Sequence, residues 1–194
     1  KKNQSADFYY QEYIEGKSLY LLYYFHRNGD IYKFSQENLV QQPDGKSMLA
    51  AVSSDFHNSY ESCKYEKMFK KLNYHGFVMI EVKQSRNNKN YMIEANPRFW
   101  GPSQLFIDAG INIFEAFLHD YGFISSLPNF ELRKTKTRYF WFGGLINVIK
   151  NGKKPDFYNI SENVFLASLP EWLENDVYRR DDTIEIFRKE VLSE

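Results

Sequence analysis

The sequence has a single cysteine, Cys63, among 194 residues. No internal disulfide framework can hold it, and a reducing, cytoplasmic setting is expected. An excess of either charge is also missing, because 25 Lys and Arg balance 25 Asp and Glu. That balance argues against the broad basic surface of a nucleic-acid or anionic-membrane binder, so any anionic ligand needs a local site. Long apolar runs are lacking too: residues 19–25, Leu-Tyr-Leu-Leu-Tyr-Tyr-Phe, fall far short of the roughly 20 residues that span a bilayer. Lys1 and Lys2 are followed by polar Asn3, Gln4 and Ser5, with no apolar signal region behind them, and the lack of Met at position 1 is expected to mark an excised or processed chain. Glycine is sparse, at 10 residues, and neither a repeat nor a low-complexity linker is visible. Aromatic residues are abundant instead, with 15 Tyr, 17 Phe and 3 Trp. Such rings chiefly supply buriable surface, and stacking on bases or sugars is their second use.

Residues 7–14 are aromatic and β-branched and stop at Glu15-Gly16-Lys17, which predicts a strand and a turn. A second strand is expected over 19–27. Asn28-Gly29 suits a type I′ turn, and 30–34 returns as the partner strand. Residues 37–54, with Pro43-Asp44-Gly45-Lys46-Ser47 inside, read as a surface loop able to move. Tyr65, Met68, Phe69 and Leu72 recur at helical spacing and predict a helix over 60–72. Strands are expected over 77–83 and 91–96 around the turn-rich 85–90, and helices over 103–109 and 113–121. Residues 127–129 read as a boundary. This divides the chain into 1–127 and an extension, 128–194, that ends in a charged amphipathic segment and packs on the preceding sheet. The fold class predicted is α+β, an antiparallel sheet with packed helices.

Centring the second hairpin on Asn87-Asn88 sets Glu81 directly opposite Glu94. Alternation then puts Met79, Glu81 and Lys83 on one face and Met92, Glu94 and Asn96 on the same face of the partner. Opposed carboxylates repel unless something positive lies between them. Carboxylate and amide oxygens without His or Cys suit a hard cation, Mg²⁺ or Mn²⁺, often shared with nucleotide phosphates. Two solvated glutamates, or a register one residue different, are the alternative. Arg98 after Pro97 offers a planar donor fork for phosphate or carboxylate oxygens. Phe99 and Trp100 read as core, and His26, His57, His75 and His119 as structural or surface residues.

These residues carry a resemblance. Residues 76–83, Gly-Phe-Val-Met-Ile-Glu-Val-Lys, then a polar turn, then 91–101, Tyr-Met-Ile-Glu-Ala-Asn-Pro-Arg-Phe-Trp-Gly, resemble the metal-binding end of the ATP-grasp superfamily, in particular its carbamoyl-phosphate-synthase-like carboxylate ligases. The resemblance implies that Glu81, Glu94 and Asn96 bind the Mg²⁺ ions bridging ATP phosphates, and that Arg98 touches the transferred phosphate or the substrate carboxylate. Residues 11–16, Gln-Glu-Tyr-Ile-Glu-Gly, are similar to the hinge strand that carries adenine in that family. By that likeness Gln11, Glu12, Tyr13 and Ile14 line the base, backbone groups near Glu12 and Ile14 reading its edge. Ser18 stands where many members place an acid on the ribose hydroxyls. Residues 176–183 and the final helix loosely resemble the family's C-terminal extensions.

The resemblance further implies half of a two-lobed site, with a lysine-bearing first lobe lying before Lys1, so that this chain alone is expected to bind ATP weakly and not turn over. The parent is expected to be an ATP- and Mg²⁺-dependent carboxylate-amine or carboxylate-thiol ligase working through an acylphosphate. Its partners are expected to be ATP, a small carboxylate, an amine and the first lobe, with no nucleic acid or membrane and with room for a homodimer. Two other classes stay open: a nucleotide-binding regulatory module without catalysis, to which Ser18 points, and an aromatic-rich structural or glycan-binding domain. The loop bearing Lys46 and Ser47 either covers substrate or is simply solvated.

Overall fold

In this computed structural model, residues 10–127, 129–133, 136–180 and 183–192 are described. One antiparallel sheet organises them, in the order β5-β4-β1-β2-β3-β6. Its strands are β1 (Gly16–Phe25), β2 (Ile31–Gln41), β3 (Met48–Ser54), β4 (Gly76–Ser85), β5 (Asn90–Asn96) and β6 (Arg138–Phe140), and a short β7 (Asp156–Phe157) pairs with the end of β2. The α-helices are α1 (Tyr60–Lys71), α2 (Ser103–Asp108), α3 (Ile113–Asp120), α4 (Phe142–Lys150), α5 (Glu162–Ala167), α6 (Leu169–Leu173) and α7 (Ile184–Leu192). The predicted antiparallel sheet with packed helices is therefore the observed class. Among the described residues no helix is long and apolar enough to cross a membrane.

Period-two alternation divides the sheet into two covered faces. Leu19, Leu21, Tyr23 and Phe25 join Val78, Ile80 and Val82 on one face, where α1 lays down Tyr65 and Phe69. Ser59 starts that helix by accepting the Ser62 backbone N–H on its hydroxyl, a single-residue N-cap. The other face carries Leu22, Tyr24, Phe34 and Met79 under Leu105 and Phe106 of α2 and Ile113 and Ala116 of α3. The segment after residue 136 adds β6 to the β3 edge and closes a third cluster in which Phe140, Leu145, Phe165 and Trp172 are buried. In that cluster the Trp141 ring lies over Gly144, where a Cβ would come within 2.4 Å of it.

Four local expectations fail. Residues 10–14 form no strand and are largely exposed, because β4 stops at Ser85 opposite Gly16 and β2 pairs with β1 only as far as Ser18, so that among the described residues no strand lies beside them; residues 7–9 lie outside the described residues. The first hairpin uses Arg27, Asn28 and Gly29 as a three-residue loop. Only Gly29 has positive φ, +97°, and Gly29 and His26 N–H groups bond to His26 and Asp30 carbonyls, so this is a type I turn with a glycine bulge rather than type I′. Third, 37–54 is not a loop. β2 runs on to Gln41 and β3 begins at Met48, leaving a turn over 42–47 in which Asp44 and Gly45 both take positive φ. The polar residues of this segment are turned inward: Asn38 and Gln41 are buried and donate to the Ser18 hydroxyl and the Lys46 carbonyl. Fourth, Phe99 is half exposed while Trp100 beside it is core, so only one of the two rings fills the place expected for both. Pro128, within the expected boundary, and Asp182, the expected start of the charged segment, lie outside the described residues; α7 runs over Ile184–Leu192.

Candidate functional site

β4 and β5 bring the acidic pair together. Met79 lies opposite Asn96, Ile80 opposite Ala95 and Glu81 opposite Glu94, the register expected. The turn itself is centred differently, with Gln84 opposite Asn90 and Asn88 at positive φ, and a bulge between Glu81 and Val82 absorbs the difference. Met92 consequently pairs with Val82 and leaves the face of Glu94, contrary to the simple alternation. Asn96 donates its amide N–H to Glu94 Oε1, which leaves its Oδ1 oxygen for another partner. Two carboxylates and an amide oxygen form a hard-cation donor set that would need waters or phosphate oxygens to complete a shell. Among the described residues no cluster of three His, Cys, Asp or Glu exists to compete with it.

The row continues across the sheet. Tyr20 of β1 stands between Glu81 and Gln36, and one step toward the strand start Lys83 lies opposite Ser18, which lies opposite Asn38. Ser18, expected near a ribose, is fully buried and accepts a hydrogen bond from Asn38 Nδ2 at 3.0 Å. Asn38 in turn accepts from Gln36 Nε2 at 2.7 Å, while Gln36 Oε1 is buried with no partner among the described residues. The Glu81 and Lys83 side chains are 17% and 12% exposed, and Lys83 Nζ stays 4.0 Å from Glu81 Oε1. Burial raises the Glu81 carboxyl above the ordinary glutamate value, Lys83 opposes the rise, and Glu94 adds to it. Burial likewise drives the Tyr20 phenol far up, helped by Glu81, Tyr158 and Glu94 and opposed by Arg98, so that hydroxyl sits within the electrostatic reach of the whole set.

Glu81's raised value fixes a pH dependence. The folded chain holds this proton more tightly than the unfolded chain, so the contribution favours folding at low pH and is lost as pH rises through the raised value. A metal ion held by Glu81 would show the opposite dependence, because a proton on that carboxylate would compete with it. Mn²⁺ affinity, followed by electron paramagnetic resonance, is expected to collapse on acidification while the pH is still above the ordinary glutamate value.

Arg98 turns back after Pro97, its N–H on the Asn96 carbonyl and its guanidinium on the Phe99 carbonyl at 3.2 Å. It lines a cavity of about 410 Å³ together with Lys46, Tyr20, Met48, Met79 and Trp100. The β2–β3 turn that delivers Lys46 is fixed at several points. Gln41 Nε2 donates to the Lys46 carbonyl at 2.7 Å, Gln42 N–H to the Ser47 carbonyl at 2.9 Å, and Asp44 pairs with Lys153 at 3.2 Å. Among the described residues neither Lys46 nor Arg98 has a carboxylate partner. A cavity of about 460 Å³ opens elsewhere, between Lys17, Glu37, Asp55, Gln84 and Arg133. Its charges are mixed and it contains none of the expected site residues.

Gln11, Glu12 and Tyr13 are exposed and Ile14 is half-buried, on the segment that enters β1 beside Ser85. Glu15 anchors that segment to Arg86 at 2.6 Å. The sequence reading missed Tyr158, which comes from beyond β7. Its ring lies 3.8 Å under Lys83 Nζ, its hydroxyl donates to Gln41 Oε1 at 2.8 Å, and burial with the nearby acids Asp156 and Glu81 pushes its phenol up to about 12. No local pattern announces such a partner, because it reaches the site only through tertiary packing.

No protein-family profile and no curated protein matches the sequence. Solved structures do share its fold. A biotin carboxylase from Campylobacter jejuni in complex with β-γ-ATP superposes with a TM-score of 0.54 at 17% identity, over 68% of this chain and 31% of that one. N5-carboxyaminoimidazole synthetase from Staphylococcus aureus, complexed with ADP, gives 0.54 at 21% identity, over 73% and 39%. The biotin carboxylase domain dimer of the Hydrogenobacter thermophilus 2-oxoglutarate carboxylase, with MgADP and bicarbonate, gives 0.53 at 16%, over 66% and 30%. The chain thus spans about a third of the length of the structures it matches.

Proposed function

Taking as premise that the chain has an ATP-grasp fold, we propose that it is part of an ATP- and Mg²⁺-dependent ligase joining a carboxylate to an amine or thiol, of the carbamoyl-phosphate-synthase-like kind. The observation that carries this reading is the β4–β5 register, which sets Glu94 opposite Glu81 with Asn96 and Arg98 following at once. Glu81, Glu94 and Asn96 would hold the metal, which when bound neutralises charge on the phosphate oxygens. Residues 11–14 would carry the adenine. Arg98 and Lys46, two cations in one cavity without carboxylate partners among the described residues, would hold the substrate carboxylate beside Tyr20 and Trp100. A carboxylate oxygen then bonds to the γ-phosphorus as its bond to ADP breaks. The amine next bonds to the acyl carbon, loses a proton, and phosphate departs. A lysine-bearing first lobe, a homodimer and a cytoplasmic setting belong to the same proposal.

Trapping tests the intermediate. With Mg·ATP, a panel of small carboxylates and hydroxylamine as the amine, the full-length parent is expected to release ADP and the matching hydroxamate. Arg98→Gln is expected to slow this about 10²-fold, as loss of one charge-stabilising donor does, and Lys46→Gln to raise the carboxylate KM about tenfold through a lost charge-assisted contact. ADP release without hydroxamate from any carboxylate would remove the ligase reading. Burial of Ser18 favours one rival, a nucleotide-binding module without catalysis, and binding of Mg·ATP without ADP release would establish it.

A further inference from the structure

Lys83 has no role in the reading above. It shares a face with Glu81 but lies one step nearer the segment 10–15, because its partner on β1 is Ser18 and the next pairs lead to Gly16 opposite Ser85. An ammonium has three donors. Among the described residues none of them is hydrogen-bonded, and the nearest carboxylate oxygen, Glu81 Oε1, is 4.0 Å away, beyond hydrogen-bond distance. A counter-ion would close that gap. Lys33 comes to 2.8 Å from Glu66, and Lys64 to 2.9 Å from Glu61. Lys83 is instead held against the face of Tyr158 at 3.8 Å, and that ring is fixed at both ends, by its backbone N–H on the Leu39 carbonyl at 2.8 Å and by its hydroxyl on Gln41 at 2.8 Å. Cation–π attraction offsets part of the cost of burying the charge, but leaves the donors unfilled.

Resting on the nucleotide reading above, we propose that Lys83, standing on the Tyr158 ring, is a phosphate-binding residue of this lobe. Its ammonium donates to the phosphate chain where that chain passes from the adenine segment 10–14 to the pair Glu81 and Glu94. The two sites are linked through charge. A divalent ion on Glu81 and Glu94 takes away the only carboxylate near the ammonium on its own strand, leaving exposed Asp156 as the other acid within electrostatic reach. The nucleotide that arrives with the metal supplies the missing anion. Tyr158 is the positioning residue, acting only through Lys83.

The test uses this chain, with Mg·ADP and adenosine titrated calorimetrically, Mn²⁺ alone followed by electron paramagnetic resonance, and melting curves to establish folding. Lys83→Met is expected to weaken Mg·ADP about tenfold, the size of one charged hydrogen bond, to leave adenosine unchanged, and to leave Mn²⁺ alone unchanged or tighter because a competing cation is gone. Lys83→Arg should recover most of the loss. Tyr158→Phe keeps the ring and should stay within about twofold, whereas Tyr158→Leu should lose about fivefold. Wild-type Mg·ADP affinity in Lys83→Met, or equal losses for ADP, adenosine and Mn²⁺, would overturn the role of Lys83. If Glu94→Gln abolishes Mg·ADP binding while Lys83→Met does not, the nucleotide reading survives and this inference fails. No Mg·ADP binding by either the wild-type chain or its full-length parent overturns both.

Discussion

Exchanging Glu94 for Gln is expected to cost about a hundredfold in Mn²⁺ affinity, given how strongly ligand charge sets the affinity of oxygen sites, while leaving the fold intact. The substitution is nearly isosteric and keeps an oxygen able to accept from Asn96, so what is removed is charge. Glu94 is exposed and contributes nothing to the core. In the metal-free chain its charge faces Glu81 directly across the ladder, and burial together with Glu94 already raises Glu81 against the pull of Lys83. Relieving that repulsion should therefore stabilise the unliganded chain slightly, by about 0.2–1 kcal/mol, the range of cross-strand pairs. The two signs are the diagnostic. A residue kept for stability would lose stability when neutralised, whereas one kept for binding loses the ion and gains a little stability. Unfolding in denaturant and Mn²⁺ titration on the same sample read both. Unchanged Mn²⁺ affinity would return the pair to ordinary solvated glutamates.

The legibility of the fold followed the burial of its polar residues. The β4–β5 hairpin was readable because Phe77, Val78, Met79 and Ile80 make a short β-rich apolar run, and because Asn87, Asn88 and Asn90 crowd the turn. The acid pair came with it, although the agreement depends on a bulge that no residue type signals: the turn is centred one way, and the slip at Val82 restores the pairing at Glu81. The second half of β2, and β3, were unreadable for the opposite reason. Gln36, Asn38 and Gln41 have loop composition, yet they are buried and bond to Asn38, Ser18 and the Lys46 carbonyl, an arrangement only tertiary packing provides. The apolar run of Met48, Leu49, Ala50, Ala51 and Val52, buried on both faces, was the available signal. Residues 10–14 failed in the other direction. β-propensity describes fit to a pleated surface, and among the described residues no neighbouring strand offers one.

Gly16 is where fold and site depend on each other most sharply, and Gly16→Ala is expected to destabilise the chain by about 3 kcal/mol, the scale of a strained φ added to an overpacked contact. The residue has φ +146°, and an added Cβ would fall 2.1 Å from the Gln84 carbonyl oxygen and 3.1 Å from Ser85 Cα. Those atoms are backbone in the β4 ladder opposite Lys17 and Gly16, so no side-chain rotation can relieve the contact. Gly29→Ala separates the two contributions. Gly29 also has positive φ, +97°, but nothing lies within 4 Å of its Cβ position, so only the conformational cost of about 1 kcal/mol applies. Relief of the Gly16 clash requires the start of β1 to part from β4. That movement carries away residues 10–15 with the Glu15–Arg86 pair on one side, and shifts Ser18 relative to Lys83 on the other. Amide exchange should therefore rise at residues 17–20 of β1 and stay low at Tyr23 to Phe25, whose side chains are buried at the far end of the strand. Mg·ADP affinity should fall together with that local protection. Equal destabilisation by Gly16→Ala and Gly29→Ala would mean that the strands already separate there, and would place residues 10–15 on a hinge that Gly16 does not fix.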